Sequence, residues 1–129
     1  MSDAQTAEIM RRFNDAFLQH NPAALDDLVA DDELARFRQV AVVDAHGNAA
    51  AYTGDGCIAH AGHQEGHEFS AQANMMGSPE VWPAMAHAFE AATGSLARRL
   101  VAALHAAEAR GGDARGRQSC ASPWPHRCY

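Results

Sequence analysis

The first thirty residues show apolar side chains at the spacing of a helix. Ile9, Phe13 and Phe17 lie four residues apart, which places them on one face of a helix that ends near residue 20. A second short helix is expected after Pro22, because proline is favoured in the first turn of a helix. The apolar face of this second helix consists of Leu25, Leu28 and Val29. The N-terminal part of the chain is therefore predicted to be helical.

After these helices the apolar pattern predicts extended strands. Two apolar runs, at about 39–45 and 48–53, are joined by the turn sequence His46-Gly47-Asn48, in which glycine and asparagine tolerate the positive φ of hairpin turns. Asp44 is placed to stabilise this turn. A third strand is expected over 69–76, where apolar and polar residues alternate. Its polar face consists of Ser70, Gln72 and Asn74.

Two more helices are predicted in the C-terminal half of the chain. The first covers about 79–93, because its apolar residues recur every four positions. These residues are Val81, Met85 and Phe89. The last helix covers about 95–110 and ends at the glycine pair that follows it. We expect this last helix to bury Leu96, Leu100, Val101 and Leu104.

The segment between the hairpin and the third strand carries the densest chemistry of the chain. Glycines recur over 54–66, so an irregular loop is predicted there. Four side chains of types that bind zinc lie in or beside this loop, namely Cys57, His60, His63 and His67. However, the order HQEGH does not match the zinc-hydrolase motif H-E-x-x-H, because glutamine stands where glutamate is required. We therefore expect no cofactor, with zinc held by these four side chains as the alternative.

Composition and charge exclude several classes of partner. A net charge of −6 argues against binding to nucleic acid or to anionic membranes, since both need a concentrated positive patch. All ten basic residues are arginine, so Schiff-base chemistry on lysine is excluded. Three cysteines are too few for a disulfide framework, and no apolar run reaches the ~18 residues of a membrane span. With no signal-peptide pattern at the N-terminus, a cytoplasmic location is expected.

Several short motifs, in a fixed order, resemble one bacterial family. They are RQVAVVDAHG, CIAHAGH, FSAQANMM, SPEVWPAM and GGDARGRQS, and they span about residues 33–119. This region resembles a DUF1028-type family of unknown function whose fold is similar to that of the N-terminal-nucleophile (Ntn) hydrolases. The resemblance implies an α+β fold and a hydrolase-like ancestry. It implies part of an Ntn-hydrolase-like layered sandwich, with a β-hairpin, a third strand and two C-terminal helices, preceded by N-terminal helices.

The two ends of the chain depart from this family pattern. Residues 1–32 resemble the opening helices of SnoaL-like, nuclear-transport-factor-like domains. Residues 120–129 contain two prolines and no periodicity, which predicts an irregular tail. The chain is therefore divided into a helical segment over 1–32, a partial Ntn-hydrolase-like domain over 33–119 and the tail. A change of sequence pattern at each end of the region that resembles the family indicates a truncated or chimeric member of that family.

The resemblance also suggests where a cleft would lie. His63 is a candidate acid or base, while Gln72 and Asn74 can donate hydrogen bonds to a carbonyl oxygen or a developing oxyanion. Cys57 is a candidate nucleophile, with His60 or His63 as the base that would take its proton. Because the strand that would carry the family's nucleophile is not recognised in this sequence, we expect no hydrolase activity by that route.

Two further expectations concern function class and assembly. Residues 1–32 support a SnoaL-like isomerase or cyclase as an alternative function. In a partial domain, sheet edges and apolar surface stay uncovered, so a homodimer through these edges, or poor solubility, is expected. The sequence names no small-molecule substrate.

Overall fold

The computed structural model describes residues 24–117 without a gap, together with residues 4, 7–8, 11–12, 14–15, 19 and 21. In chain order the elements are helix α1 (Ala24–Ala30), a 3-10 turn (Ala35–Phe37), strands β1 (Gln39–Val43), β2 (Ala49–Thr53), β3 (Gly62–Gly66) and β4 (Phe69–Ala73), and helices α2 (Val81–Ala91) and α3 (Leu96–Ala109). The fold is therefore α+β, with an N-terminal helix, two hairpins and two C-terminal helices. In the predicted first helix, the described residues 4, 7–8, 11–12 and 14–15 are helical. Its apolar residues Ile9, Phe13 and Phe17 lie outside the described residues, and so does the tail from residue 120.

The predicted first hairpin is confirmed. Strands β1 and β2 pair antiparallel, with Gln39 opposite Thr53. Gly47 adopts a φ of +84°, which glycine reaches without steric cost. The buried Asp44 carboxylate accepts hydrogen bonds from the backbone N–H of His46 (2.8 Å) and of Asn48 (2.9 Å). Its second oxygen accepts one from the Asn48 amide group at 2.7 Å, so Asp44 holds the turn together.

The segment predicted to be an irregular loop contains a strand. Residues Gly62–Gly66 form β3, which pairs antiparallel with β4. The sequence GHQEG has no alternation of apolar residues, so the pairing with β4, and not a local preference, makes it a strand. The predicted third strand is shorter than expected and ends at Ala73, since Met75 has a φ of +61°. Beyond that point Met76 exchanges backbone hydrogen bonds with His60.

The second hairpin lies between α2 and the first hairpin. On one face of it, Ala71 and Ala73 are buried where α2 packs on β3 and β4. Val81 of α2 is fully buried, and the rings of Phe69 and Phe89 lie 4.7 Å apart. On the other face, β2 contacts β3 and β1 contacts β4. Helix α1 contacts β2 and buries its predicted apolar residues, Leu25, Leu28 and Val29.

The expected burial of the α3 leucine face is wrong. Helix α3 packs against α2, but the only residue of α3 that is buried is Ala103. The four apolar side chains expected in the core are between 42% and 50% exposed; they are Leu96, Leu100, Val101 and Leu104. Alanines occupy most of the side of α3 that meets α2, so the larger side chains point away from it. Among the described residues, no helix is long and apolar enough to cross a membrane.

Candidate functional site

Two of the three predicted cleft residues lie on one face of the second hairpin. His63 of β3 is directly opposite Gln72 of β4, so their side chains point to the same side of the sheet. Asn74 lies in a bend just beyond the end of β4 and lines the same cavity as Gln72. The face is turned toward the first hairpin, where the Glu65 carboxylate accepts a hydrogen bond from the backbone N–H of Ala51. His63 and the two amides nevertheless line two different cavities.

The first cavity, which we call the His63 cleft, has a volume of about 540 Å³. Its walls include Thr53, Cys57, His60, His63, Pro79 and Trp82. The Trp82 indole lies so close to Gly62 that a Cβ at this position would overlap the ring. Glycine is therefore needed at the start of β3, because it lets the indole reach the cleft wall. The cleft thus combines an aromatic surface with hydroxyl and imidazole groups.

His63 is held in the cleft by residues that the sequence analysis did not identify. The His63 Nδ1 lies 2.8 Å from the Thr53 hydroxyl oxygen. The Gln39 amide Nε2 in turn lies 3.1 Å from that oxygen, 3.2 Å from the Gly62 carbonyl oxygen and 2.9 Å from the Ala73 carbonyl oxygen. The Thr53 hydroxyl can accept from Gln39, and it can either donate to His63 Nδ1 or accept from it, according to the tautomer of the ring.

The contact between Gln39 and Thr53 could have been found from the sequence. Gln39 and Thr53 occupy the two open ends of the predicted hairpin, so the register alone places their side chains together. The contact with His63 had no such signal, because it depends on how the second hairpin lies on the first.

The four predicted zinc ligands are not brought together. The Cys57 thiol donates to the Arg38 carbonyl oxygen at 3.4 Å and does not pair with a histidine. His60 and His67 have exposed side chains, and His67 Nδ1 lies 3.9 Å from the Glu68 carboxylate. Within the described part of the chain, no group of three or more His, Cys, Asp or Glu side chains could hold a metal ion. The described residues therefore do not bring a tetrahedral zinc set together.

The second cavity, which we call the amide groove, has a volume of about 690 Å³. It lies between β4 and α3, and its walls include Gln39, Gln72, Asn74, Met85, Val101 and Leu104. The side-chain oxygen of Asn74 is buried and has no hydrogen-bond partner among the described residues, and the same holds for the hydroxyl of Ser70. A buried acceptor without a donor is costly, so the Asn74 oxygen is a point where a donor group would be stabilised.

One end of the amide groove is charged. The Arg117 guanidinium donates to the Glu108 carboxylate at 2.7 Å. Arg115 donates to both oxygens of Asp113, and this interaction lowers the pKa of the Asp113 carboxyl to about 2. Asp113 is therefore ionised at neutral pH, and the groove has an apolar wall on α3 and two acid–arginine pairs at its end.

Comparison with known proteins identifies the family. Residues 7–122 match the model of DUF1028, which is described as a family of unknown function. The chain belongs to the DUF1028 family. The match confirms the resemblance seen over 33–119, and it also extends across most of residues 1–32. None of the curated proteins compared with the chain matches it.

A solved structure of the family has the same fold. The crystal structure of protein SPO2555 from Silicibacter pomeroyi, a DUF1028 protein, is similar to this chain with a TM-score of 0.69 and 35% sequence identity. The similarity covers 86% of this chain and 48% of that protein. The chain thus spans about half the length of this relative.

Proposed function

We propose that this DUF1028 chain is part of an Ntn-hydrolase-like scaffold that binds a small carboxamide in the His63 cleft without hydrolysing it. The observation that carries the proposal is the 2.8 Å contact between His63 Nδ1 and the Thr53 hydroxyl. This contact holds the imidazole at the cleft wall, and in the tautomer in which Nδ1 accepts from the hydroxyl, Nε2–H is a donor for a carbonyl oxygen. A donor that is already oriented costs little entropy when the ligand binds.

The charges around the cleft favour a neutral ligand over an acid. The Asp55 side chain lines the cleft and is 86% exposed, with Arg36 Nε at 3.7 Å. A carboxylate ligand would be repelled by this aspartate, whereas an amide would not. The Trp82 indole provides a flat apolar surface for the rest of the ligand.

The arrangement of the nucleophilic groups favours binding over hydrolysis. The Cys57 thiol donates to a backbone carbonyl, so it lacks the adjacent base that activates a thiol. The Thr53 hydroxyl has a histidine neighbour, but it also accepts from Gln39 and joins the two hairpins. We therefore expect the carboxamide to be released unchanged.

The test is a titration followed by NMR of the imidazole and indole nitrogens. N-acetylglycinamide should shift the His63 and Trp82 signals in a saturable way, whereas acetate at the same concentration should not. His63→Gln should weaken this binding about threefold to tenfold, because one hydrogen bond is lost. His67→Gln, an exposed histidine outside the cleft, is the matched control and should bind like the parent.

Three results would contradict the proposal. These are equal shifts with acetate, an equal loss in His67→Gln, and hydrolysis of the probe, seen as acetate with glycinamide or as N-acetylglycine with ammonia. If His63→Gln does not fold, Trp82→Phe provides the second variant, and it should weaken binding while keeping a dispersed spectrum.

A further inference from the structure

The amide group of Gln39 lies where the first hairpin meets the open end of the second. Its nitrogen, Nε2, is 2.9 Å from the Ala73 carbonyl oxygen and 3.2 Å from the Gly62 carbonyl oxygen. A carbonyl oxygen accepts hydrogen bonds and cannot donate them, so the end of the amide that faces these two oxygens is the NH₂ group. The two backbone carbonyls therefore set the orientation of the Gln39 amide.

The oriented amide restricts the Thr53 hydroxyl. Gln39 Nε2 is 3.1 Å from Thr53 Oγ1, and an amide nitrogen donates but does not accept, so the hydroxyl proton has to point away from Gln39. Among the described residues, the acceptor within reach of this hydroxyl is His63 Nδ1, at 2.8 Å. If Thr53 instead accepted from both neighbours, its own proton would be without a partner in a half-buried site, which costs free energy.

We propose that Gln39 is a positioning residue that selects the tautomer of His63 through the Thr53 hydroxyl. The Gln39 NH₂ directs the hydroxyl proton toward His63 Nδ1, so Nδ1 accepts and the neutral ring carries its proton on Nε2. The His63 cleft then presents a hydrogen-bond donor and selects ligands that offer an acceptor. This ligand preference rests on the function proposed above, whereas the tautomer is a property of the chain without ligand.

Replacing Gln39 with glutamate should reverse the order of these hydrogen bonds. The carboxylate of Gln39→Glu accepts and cannot donate, so it takes the Thr53 proton. The hydroxyl oxygen is then left to accept from Nδ1–H of His63, and Nε2 becomes an acceptor. The same change removes the donor to the Gly62 and Ala73 carbonyls, so circular dichroism has to show that the variant folds.

The first experiment reads the tautomer from two-bond proton–nitrogen correlation spectra of the isotope-labelled chain, without ligand, at about pH 9, where an ordinary imidazole is neutral. In the parent, His63 Nδ1 should have the chemical shift of an unprotonated ring nitrogen and Nε2 that of a protonated one. Gln39→Glu should exchange the two. The matched control is Gln64→Glu, an exposed position on the opposite face of β3, which should keep the parent pattern. A parent ring protonated on Nδ1, or an unchanged tautomer in folded Gln39→Glu, would overturn the proposal.

Thr53→Val tests the step through the hydroxyl, and it provides the second variant if Gln39→Glu does not fold. Without the hydroxyl, His63 Nδ1 loses its donor, so its signal should move downfield, as that of an unprotonated nitrogen does when a hydrogen bond is lost. An Nδ1 signal that stays in place would contradict donation by Thr53. Adding Gln39→Glu to Thr53→Val should leave the tautomer unchanged, since the connecting hydroxyl is missing. A ring that still switches in this double variant would show that residue 39 acts through its charge and not through Thr53.

A second experiment tests the ligand preference that follows from the tautomer. The probe is N,N-dimethylacetamide, which has a carbonyl acceptor and no N–H donor. Gln39→Glu should bind it about threefold to tenfold more weakly than the parent, because one hydrogen bond is lost, and Gln64→Glu should bind like the parent. Equal binding by the parent and a Gln39→Glu variant with a reversed tautomer would overturn the role of Gln39 in selectivity. A parent that binds neither this probe nor N-acetylglycinamide would contradict the proposed function, while the tautomer measurement would still decide the role of Gln39.

Discussion

Asp44 shows how one buried carboxylate organises a turn. Burial of this carboxyl raises its pKa, whereas hydrogen bonds from Asn48 and His46 lower it, and the hydrogen bonds prevail, so the pKa is below its ordinary value. The carboxylate is therefore ionised at neutral pH and serves as the acceptor for two backbone N–H groups and one amide. These donors would otherwise be unpaired in the hairpin turn.

Replacing this carboxylate should weaken the first hairpin. We expect Asp44→Asn to lower the melting temperature by about 5 °C. The new NH₂ would replace the oxygen that accepts from the Asn48 side-chain amide, and the two backbone N–H groups would donate to a neutral oxygen instead of a charged one. Asp55→Asn is the matched control, since the Asp55 side chain is 86% exposed, and it should change the melting temperature by less than about 1 °C. Thermal unfolding followed by circular dichroism measures both. Equal melting temperatures for the two variants would contradict the role of Asp44.

The lowered pKa of Asp44 predicts that its contribution to stability decreases as the pH falls. Because the pKa of Asp44 is lower in the folded than in the unfolded chain, its contribution is present above the unfolded value of about 4 and is lost as pH falls through the folded value. The stability difference between the parent and Asp44→Asn should therefore shrink as the solution is acidified below pH 4. A difference that is constant or grows on acidification would show that the pKa is not lowered.

The candidate site could be predicted from sequence only in part. His63 and Gln72 do share one face, because the register of a hairpin fixes which side chains lie together, whereas Asn74 lies just beyond β4. Their division between two cavities was not predictable, since it depends on where Gln39 and Thr53 of the first hairpin lie over the second. Local patterns specify faces of an element, whereas the contacts between elements come from packing.

At the scale of elements, the correct predictions rest on local sequence patterns, and the wrong ones concern packing between elements. The hairpin of β1 and β2, the burial of α1 and the extents of α2 and α3 follow from local signals. Strand β3 was missed because its glycines and charges have no strand pattern, and β4 supplies its pairing. The apolar stripe of α3, formed by Leu96, Leu100, Val101 and Leu104, was identified, but the sequence did not show that α2 would cover the alanine side instead.

The contact between α2 and the second hairpin should dominate the stability of the described fold. Val81→Ala removes two methyl groups from a fully buried position and should lower the free energy of unfolding by about 2 kcal/mol. Val43→Ala makes the same change on β1, where the side chain is 39% exposed, and should cost about 0.5 kcal/mol. Urea denaturation gives both values. A smaller loss in Val81→Ala than in Val43→Ala would show that this contact is not the core.

At the scale of the whole molecule, the net negative charge opposes association between copies of the chain, whereas the exposed apolar side chains of α3 favour it. The chain carries a net charge of −6 at pH 7, and its isoelectric point is about 5.7. Repulsion between copies therefore falls as pH decreases toward that value, while the attraction between apolar stripes is unaffected.

We accordingly expect solubility to pass through a minimum near pH 5.7, because there the apolar side meets the least charge repulsion. Light scattering between pH 4.5 and pH 8 would measure this minimum. The informative control is Leu100→Gln/Leu104→Gln, which leaves the net charge and the isoelectric point unchanged while removing apolar surface from α3. If the minimum comes from the exposed stripe, this variant should stay soluble at pH 5.7. A variant that precipitates as much as the parent would instead attribute the loss of solubility to charge neutralisation alone, and the stripe would have no part in it.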